Sequence, residues 1–273
     1  MISINLTIHN KGFLLERVLD AIKRLTVQDY ELICVLDGCN DNSEIILDTF
    51  ISQNKDIKIK KLSAPNVFET KSNNLAASES TGEYIVIVQD DMIVNELGWD
   101  KRLLKPFQAF DDIFAVTART AHNWIANPNS SHLFEPNGRS DCWSDILFHT
   151  DHANSANLSR DIFGVRDCVN RGPLAIRRDV FEQAGGFDEA FCPQDSDDHD
   201  LCYRVRASTG FRCGCYPIEF ICDDSWGGTR EGGQTKPWML QANQKNTRTL
   251  YNRHRDMISQ SPKNENRILI DDK

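Results

Sequence analysis

Two pairs of adjacent carboxylates stand out in the chain, Asp90-Asp91 and Asp197-Asp198. The first closes an apolar, β-branched run, Tyr84-Ile85-Val86-Ile87-Val88, with Gln89 between run and pair. Adjacent carboxylates repel, and a divalent cation relieves the repulsion. Hard oxygen ligands suit Mn²⁺ or Mg²⁺, ions that usually also hold substrate phosphates. A solvated turn at a strand end accounts for the same residues. The second pair lies in Asp195-Ser196-Asp197-Asp198-His199-Asp200, ahead of a helical pattern from Leu201 to Arg206. The helix macrodipole favours acidic residues at that end, but four carboxylates in six residues exceed what capping requires.

Certain elements must position these residues. The Tyr84 to Val88 run is short and follows Gly82, so it reads as a strand buried on both faces. In an open α/β sheet, ligands bind beyond the carboxyl ends of the strands, where Asp90 and Asp91 stand. Ile2 to Ile8 and Tyr30 to Leu36 read as further strands, and Ile57 to Leu62 as an exposed or edge strand. Helical spacing of apolar residues marks Phe13 to Leu25 and Leu97 to Phe110. Helices are also expected at Glu44 to Ile51, capped by Asn42 or Ser43, and at Glu69 to Ser80. Phe114 to Ala118 is one more strand. Strand and helix alternate over residues 1–120, which predicts a parallel, doubly wound sheet with helices on both faces. Neither G-x-G-x-x-G nor G-x-x-x-x-G-K-[ST] occurs.

From 121 to 170 periodicity dissolves and Asn, Ser, Pro, His and Trp are frequent. An irregular insert or binding loop is expected there. Trp124, Phe134, Trp143 and Phe148 could face a sugar or pack in a core, and His149-Thr150-Asp151-His152 is a weak metal candidate. Gly172 to Arg178 is a short strand and Asp179 to Ala184 a short helix stopped by Gly185-Gly186. Two short strands flank Pro217. A C-terminal helical tail over 236–273 carries Lys245, Arg248, Arg253, His254 and Arg255, a solvated face or a contact for an anionic membrane surface.

The net charge of -9 argues against a nucleic-acid partner, which needs a basic footprint. No stretch approaches the ~20 apolar residues of a membrane span, and Met1 to Ile8 lacks the basic start of a signal peptide. The nine cysteines are therefore expected to be reduced and mostly structural.

Five segments, in order, resemble the family 2 glycosyltransferases of GT-A fold. Ile2 to Asn10 is similar to that family's "VSVIIPTYN", and Leu36 to Ser43 to its "DDGSTDNS" with Leu36 for the first Asp. Gly82 to Asp91 resembles "GEYIAFLDSD" with Gln89 in place of the first Asp of D-x-D. Gly185 to Glu189 matches "GGFDE", and Asp197 to Arg204 looks like "EDVDLCLR". The resemblance covers residues 1–230 apart from 121–170.

It implies a GT-A fold: a Rossmann-like, mostly parallel sheet divided into a nucleotide-sugar half (1–120), an acceptor-side insert (121–170), an acceptor or catalytic half (171–235) and the tail. It also implies an inverting, metal-dependent transfer of sugar from a nucleotide diphosphate donor, a UDP-sugar foremost, to a saccharide or lipid-linked acceptor. Asp37 would meet the base, with Thr7, His9 and Asn10 beside it and Lys71 and Asn74 near the nucleotide. Asp90 would lie by ribose or metal and Asp91 would ligate Mn²⁺ or Mg²⁺. Asp198 would be the base that deprotonates the acceptor, with Asp197 beside it. The family's later His ligand is missing, leaving Asp223 or Asp224 as substitutes. The processive "QxxRW" signature is absent, so single addition is expected, in the cytoplasm or peripherally at the inner face of the membrane. A donor-binding protein without turnover and a sugar nucleotidyltransferase are the alternatives.

Overall fold

The computed structural model describes residues 1–126, 147–193, 195–223, 225–227, 236–260 and 264–269. Strand β1 (Ile2–Ile8) is buried even at Ser3 and Asn5, because it lies between two parallel neighbours. Its apolar Ile4 and Leu6 face helix α1 (Gly12–Leu25), whose Leu15, Val18, Leu19 and Ile22 recur at helical spacing and are all buried. Then come β2 (Tyr30–Asp37), α2 (Ser43–Gln53), β3 (Lys58–Ala64), α3 (Phe68–Ser78) and β4 (Tyr84–Gln89). These four strands are parallel in the order β3-β2-β1-β4. The expected edge strand is at the edge, where Lys58, Lys60 and Lys61 keep it charged against further pairing.

The chain continues through β5 (Met92–Val94), α4 (Trp99–Ala109) and β6 (Ile113–Thr117). The stretch expected to be irregular contains strands in its described parts: β7 (Thr120–Ala126), β8 (Leu147–Asn154), β9 (Ile162–Arg166) and β10 (Cys168–Val169). Their pairing is what the residue pattern hides. The polar β7 and β8 pair with each other, and β9 is inserted in the main sheet far from its sequence neighbours. Next are β11 (Leu174–Arg177), α5 (Arg178–Gln183), α6 (Asp197–Thr209), β12 (Arg212–Cys215), β13 (Phe220–Cys222), α7 (Pro237–Ser259) and β14 (Glu265–Ile268). The tail is thus a helix followed by a strand that joins the main sheet.

The main sheet runs β14-β9-β12-β6-β11-β4-β1-β2-β3. It is mixed: β11 is antiparallel to both β4 and β6, and β9 to both β12 and β14. One core lies between the sheet and α1, α2 and α4, and a second between its other face and α5, α6 and α7. The β4 run is central and buried at Ile85, Val86, Ile87 and Val88. Among the described residues no helix is long and apolar enough to cross a membrane.

Candidate active site

Parallel register brings the carboxyl ends of β1, β2 and β4 together, with Thr7 between Val35 and Gln89. Just beyond, the His9 backbone N–H donates to Asp90 Oδ2 at 2.8 Å. Lys11 Nζ lies 3.8 Å from Asp90 Oδ1 and also donates to the Trp226 carbonyl. Burial pushes the Asp90 carboxyl up to about 7; Lys11 and the His9 N–H oppose the shift, while Asp91 and Glu69 add to it. The His9 ring Nδ1 donates to the Asp37 carbonyl at 2.5 Å. Asn10, in the left-handed region at φ 51, accepts from the Asn40 N–H at 2.8 Å. Asp41 and Ser43 hold the backbone of Gly12 and Lys11 in turn, so the loops after β1 and β2 interlock.

Asp37 is fully buried, and its two carboxylate oxygens accept the N–H groups of Val67 and Phe68 at 2.6 and 2.8 Å. In this arrangement it anchors the start of α3. Asp91 is different: its Oδ1 is buried without a hydrogen-bond partner. An orphaned carboxylate oxygen beside a second carboxylate is the donor set a hard divalent cation takes. Antiparallel pairing sets Cys222 against Met92, so Asp223 follows the last paired residue of β13. Asp223 is exposed and accepts from the Ser225 N–H and hydroxyl. Asp224 lies outside the described residues, and among those described no set of three His, Cys, Asp or Glu is gathered into a metal cage.

The second carboxylate pair heads α6. Asp197 is fully buried and bound bidentately by Arg171, at 2.6 Å to each oxygen. This is the fork geometry that makes Arg–carboxylate pairs strong. Asp198 accepts from the His199 N–H at 2.9 Å and the Arg171 N–H at 3.2 Å. Burial raises the Asp198 carboxyl well above the ordinary range; Arg171 pulls it down and Asp197 pushes it further up. Burial also holds the neighbouring His199 ring neutral, against the nearby Asp195 and Asp197. That ring packs against His122 and Trp124, with centroids 5.4 and 5.9 Å away. Phe134 and Trp143, with the side chains of Phe148 and His149 to His152, lie outside the described residues.

Other expected residues have work elsewhere. The Asn74 amide donates to the Phe187 carbonyl at 2.8 Å and accepts from the Phe187 N–H at 3.0 Å, stapling α3 to the Gly185-Gly186-Phe187 turn. Lys71, half-exposed, pairs with Glu189 at 3.6 Å. Asp200 binds His254 at 2.8 Å and Arg204 at 2.6 Å, and Arg253 bridges Asp188 and Asp200. Much of the basic face expected on the tail therefore clamps α7 to α6, leaving Lys245 and Arg255 exposed.

Three residues of the site were not anticipated: Lys11, Glu69 and Arg171. Gln89 Nε2 donates to Glu69 Oε1 at 2.8 Å, and Glu69 Oε1 lies 3.4 Å from Arg171 Nε. A polar chain thus runs from the end of β4 to the head of α6. Nothing local marks its members.

The chain matches the model of the family described as glycosyl transferase family 2 over residues 3–183. It is 37% identical over 97 residues to the glycosyltransferase GlyG of Streptococcus pneumoniae serotype 4 (strain ATCC BAA-334 / TIGR4), 35% of this chain and 32% of that protein. It spans about a third of the length of that curated relative. Among solved structures, GalNAc-T7 with UDP, GalNAc and Mn²⁺ is similar with a TM-score of 0.64 and 15% identity, over 92% of this chain and 47% of that one. The mannosyltransferase PcManGT of Pyrobaculum calidifontis, in complex with GDP-Man and Mn²⁺, is similar with a TM-score of 0.58 and 14% identity, over 93% and 75%. S. aureus TarS 1-349 in complex with UDP-GlcNAc gives a TM-score of 0.51 and 12% identity, over 80% and 56%. At such identities the likeness concerns the fold, an α/β architecture of GT-A type. The family match, spanning most of the strands that carry the donor-end carboxylates, places the chain: it belongs to glycosyl transferase family 2.

Proposed function

We propose that the chain is a metal-dependent inverting glycosyltransferase that moves one sugar from a nucleotide diphosphate donor to a hydroxyl of a saccharide or lipid-linked acceptor. The observation that carries this reading is the pairing of two unlike carboxylate sites. Asp91 presents an unpartnered oxygen at the end of β4, and Asp198 is a buried carboxylate of raised pKa at the head of α6. Asp91 and Asp90 would hold Mn²⁺ or Mg²⁺, with Asp223 the candidate third ligand, and the ion when bound offsets charge on the leaving diphosphate. Thr7, His9, Asn10 and Asp37 line the strand ends where the base and ribose would lie.

Asp198 takes the proton of the acceptor hydroxyl as its oxygen attacks the anomeric carbon. The bond to the diphosphate breaks on the opposite side, which inverts the centre. A carboxylate raised toward neutrality is a better base than an ordinary one while still ionised at working pH. The two N–H bonds from Arg171 and His199 orient it. The donor is read as a UDP-sugar: GalNAc-T7 was solved with UDP and TarS with UDP-GlcNAc, while PcManGT was solved with GDP-Man, so the base is decided by the test below. A lipid-linked acceptor would bring the chain to a membrane surface, where the exposed Lys245 and Arg255 of α7 could meet anionic headgroups.

The test is a thermal-shift screen against UDP, GDP, CMP and dTDP, each with Mn²⁺, Mg²⁺ or EDTA. A ligand at ~100 times its dissociation constant adds roughly 2.7 kcal/mol. A metal-dependent shift with one diphosphate, lost in Asp91→Ala and kept in Asp198→Ala, is expected. No shift with any nucleotide would sink the donor site built on Asp90 and Asp91.

A further inference from the structure

Gln89 stands where a metal-binding carboxylate was expected, and its side chain is turned to other use. Its Nε2 donates to Glu69 at 2.8 Å, and its Oε1 packs so closely on Gly172 that a Cβ there would come within 2.5 Å of it. Gly172, at φ +75, follows Arg171 directly. Arg171 is 5% exposed and engaged on every side. It forks onto Asp197, lies 3.4 Å from Glu69, stacks its guanidinium 5.0 Å above the Phe187 ring, and donates its own N–H to Asp198. One residue thus fixes the two neighbouring acids by different groups, Asp197 by the guanidinium and Asp198 by the backbone.

The groups facing Asp198 are Asp197 and His199 on its own helix, Asp195 before it, Cys202 one turn on, Cys168 from β10, and Arg171. Both thiols are held protonated by burial, and His199 is held neutral. Arg171 is therefore the one full positive charge in that set. Asp197 holds its guanidinium bidentately, Glu69 lies 3.4 Å from its Nε, and Glu69 in turn accepts from Gln89. An ionised Asp at position 89 would be one methylene shorter and would carry only acceptors, so the bond to Glu69 would be lost. The amide N–H instead holds Glu69 beside Arg171.

We propose that Arg171 is the positioning residue of the acceptor base, and that Gln89, acting through Glu69, holds Arg171 in place rather than serving a metal. The inference rests on the reading of Asp198 as that base. It makes the departure from the D-x-D pattern a trade: one metal-side carboxylate is given up to brace the opposite wall of the site.

The test uses the full chain with ¹³C-labelled aspartate carboxyls, the Asp198 signal being assigned by its loss in Asp198→Asn. Removal of the Arg171 charge in Arg171→Met raises the Asp198 midpoint by about one unit or more, a roughly tenfold loss of ionised base at pH well below the parent midpoint. Arg171→Lys restores most of the shift. Gln89→Ala moves the midpoint in the same direction by less, and leaves the Mn²⁺-dependent thermal shift with UDP, or with GDP if that shift is larger in the parent chain, unchanged. Should Arg171→Met fail to fold, Arg171→Lys and Gln89→Ala carry the test. An Asp198 midpoint that is the same in the parent and the variants overturns the positioning role. Loss of the Mn²⁺-dependent nucleotide shift in Gln89→Ala overturns the assignment of Gln89. Failure of the transferase reading shows separately, as no donor turnover in the parent chain, while the titration still reports on Arg171.

Discussion

Lys11 Nζ lies 3.8 Å from Asp90 Oδ1 and donates to the Trp226 carbonyl, with 2% of its side chain exposed. Arg17 stacks over the Trp226 ring at 5.2 Å, so α1 grips the 225–227 loop at two points. A buried ammonium is expensive unless paired, and here it joins the donor-end carboxylate to a loop more than two hundred residues away. Lys11→Met should cost about 3 kcal/mol of stability, the low end for breaking a buried pair, because the Asp90 side chain keeps some access to water. It should also raise the Asp90 carboxyl further, since the Lys11 charge is the main influence holding it down. Urea denaturation measures the first effect; a loss below about 0.5 kcal/mol would place Lys11 among ordinary surface lysines.

The acid limb of the transfer pH profile should lie above the ordinary carboxylate range. Asp198 acts as a base only when ionised, and burial raises its folded pKa. Activity therefore falls as pH drops through that raised value. The same shift has the opposite sign for stability: a carboxyl raised on folding favours the protein below the unfolded pKa, and that contribution is lost as pH rises. Asp198→Asn should cut transfer by at least roughly a hundredfold while leaving the melting temperature at neutral pH equal or higher. A variant with full turnover would remove Asp198 from the base role.

Asn74 staples α3 to the Phe187 backbone. Removing it leaves the N–H and carbonyl of Phe187 without their partners, at a cost of about 1–3 kcal/mol. Gly186 meets the same amide: it sits at φ +73, and an added Cβ would lie 2.9 Å from Asn74 Oδ1. Gly186→Ala should therefore destabilise by about 1–2 kcal/mol from backbone handedness alone. Nucleotide affinity by thermal shift should stay within a few-fold in Asn74→Ala. A tenfold loss in a folded variant would restore Asn74 to the donor site.

Glu31 ties the amino end of the sheet. It is fully buried, accepts from Ser3 Oγ at 2.7 Å and Thr81 N–H at 2.6 Å, and pairs with Lys58 at 2.5 Å. Burial by itself would raise its carboxyl; the bonds from Lys58, Ser3 and Thr81 outweigh that and hold it at about 2. A depressed folded pKa gives stability present above the unfolded value of 4.5 and lost as pH falls toward 2. The shift corresponds to about 3 kcal/mol. Glu31→Gln should remove about that much at pH 7 and flatten the acid limb of a stability-versus-pH series. Parallel curves for the two proteins below pH 5 would refute it.

Much was legible in the residues themselves. Alternating strand and helix patterns over 1–120, apolar runs ending in Asp37 and Asp90, and acids heading a helix at Asp197 are local features. Local features determine element type and which residues stand at strand ends. The family resemblance likewise rested on short motifs whose order survives without any knowledge of contacts. Only the tertiary structure decided how charge is distributed among those motifs. Asp37 and Asp90 look alike in sequence, yet one is consumed by the backbone of α3 and the other is paired with Lys11. Asp197 and Asp198 are neighbours, yet Arg171 binds the first with its guanidinium and the second with its N–H. Strand pairings of β9 and β14, and the chain Gln89–Glu69–Arg171–Asp197, link positions far apart along the chain. A carboxylate's role depends on desolvation and on which cation or N–H reaches it. Both are set by non-local packing, which residue spacing along the chain does not encode.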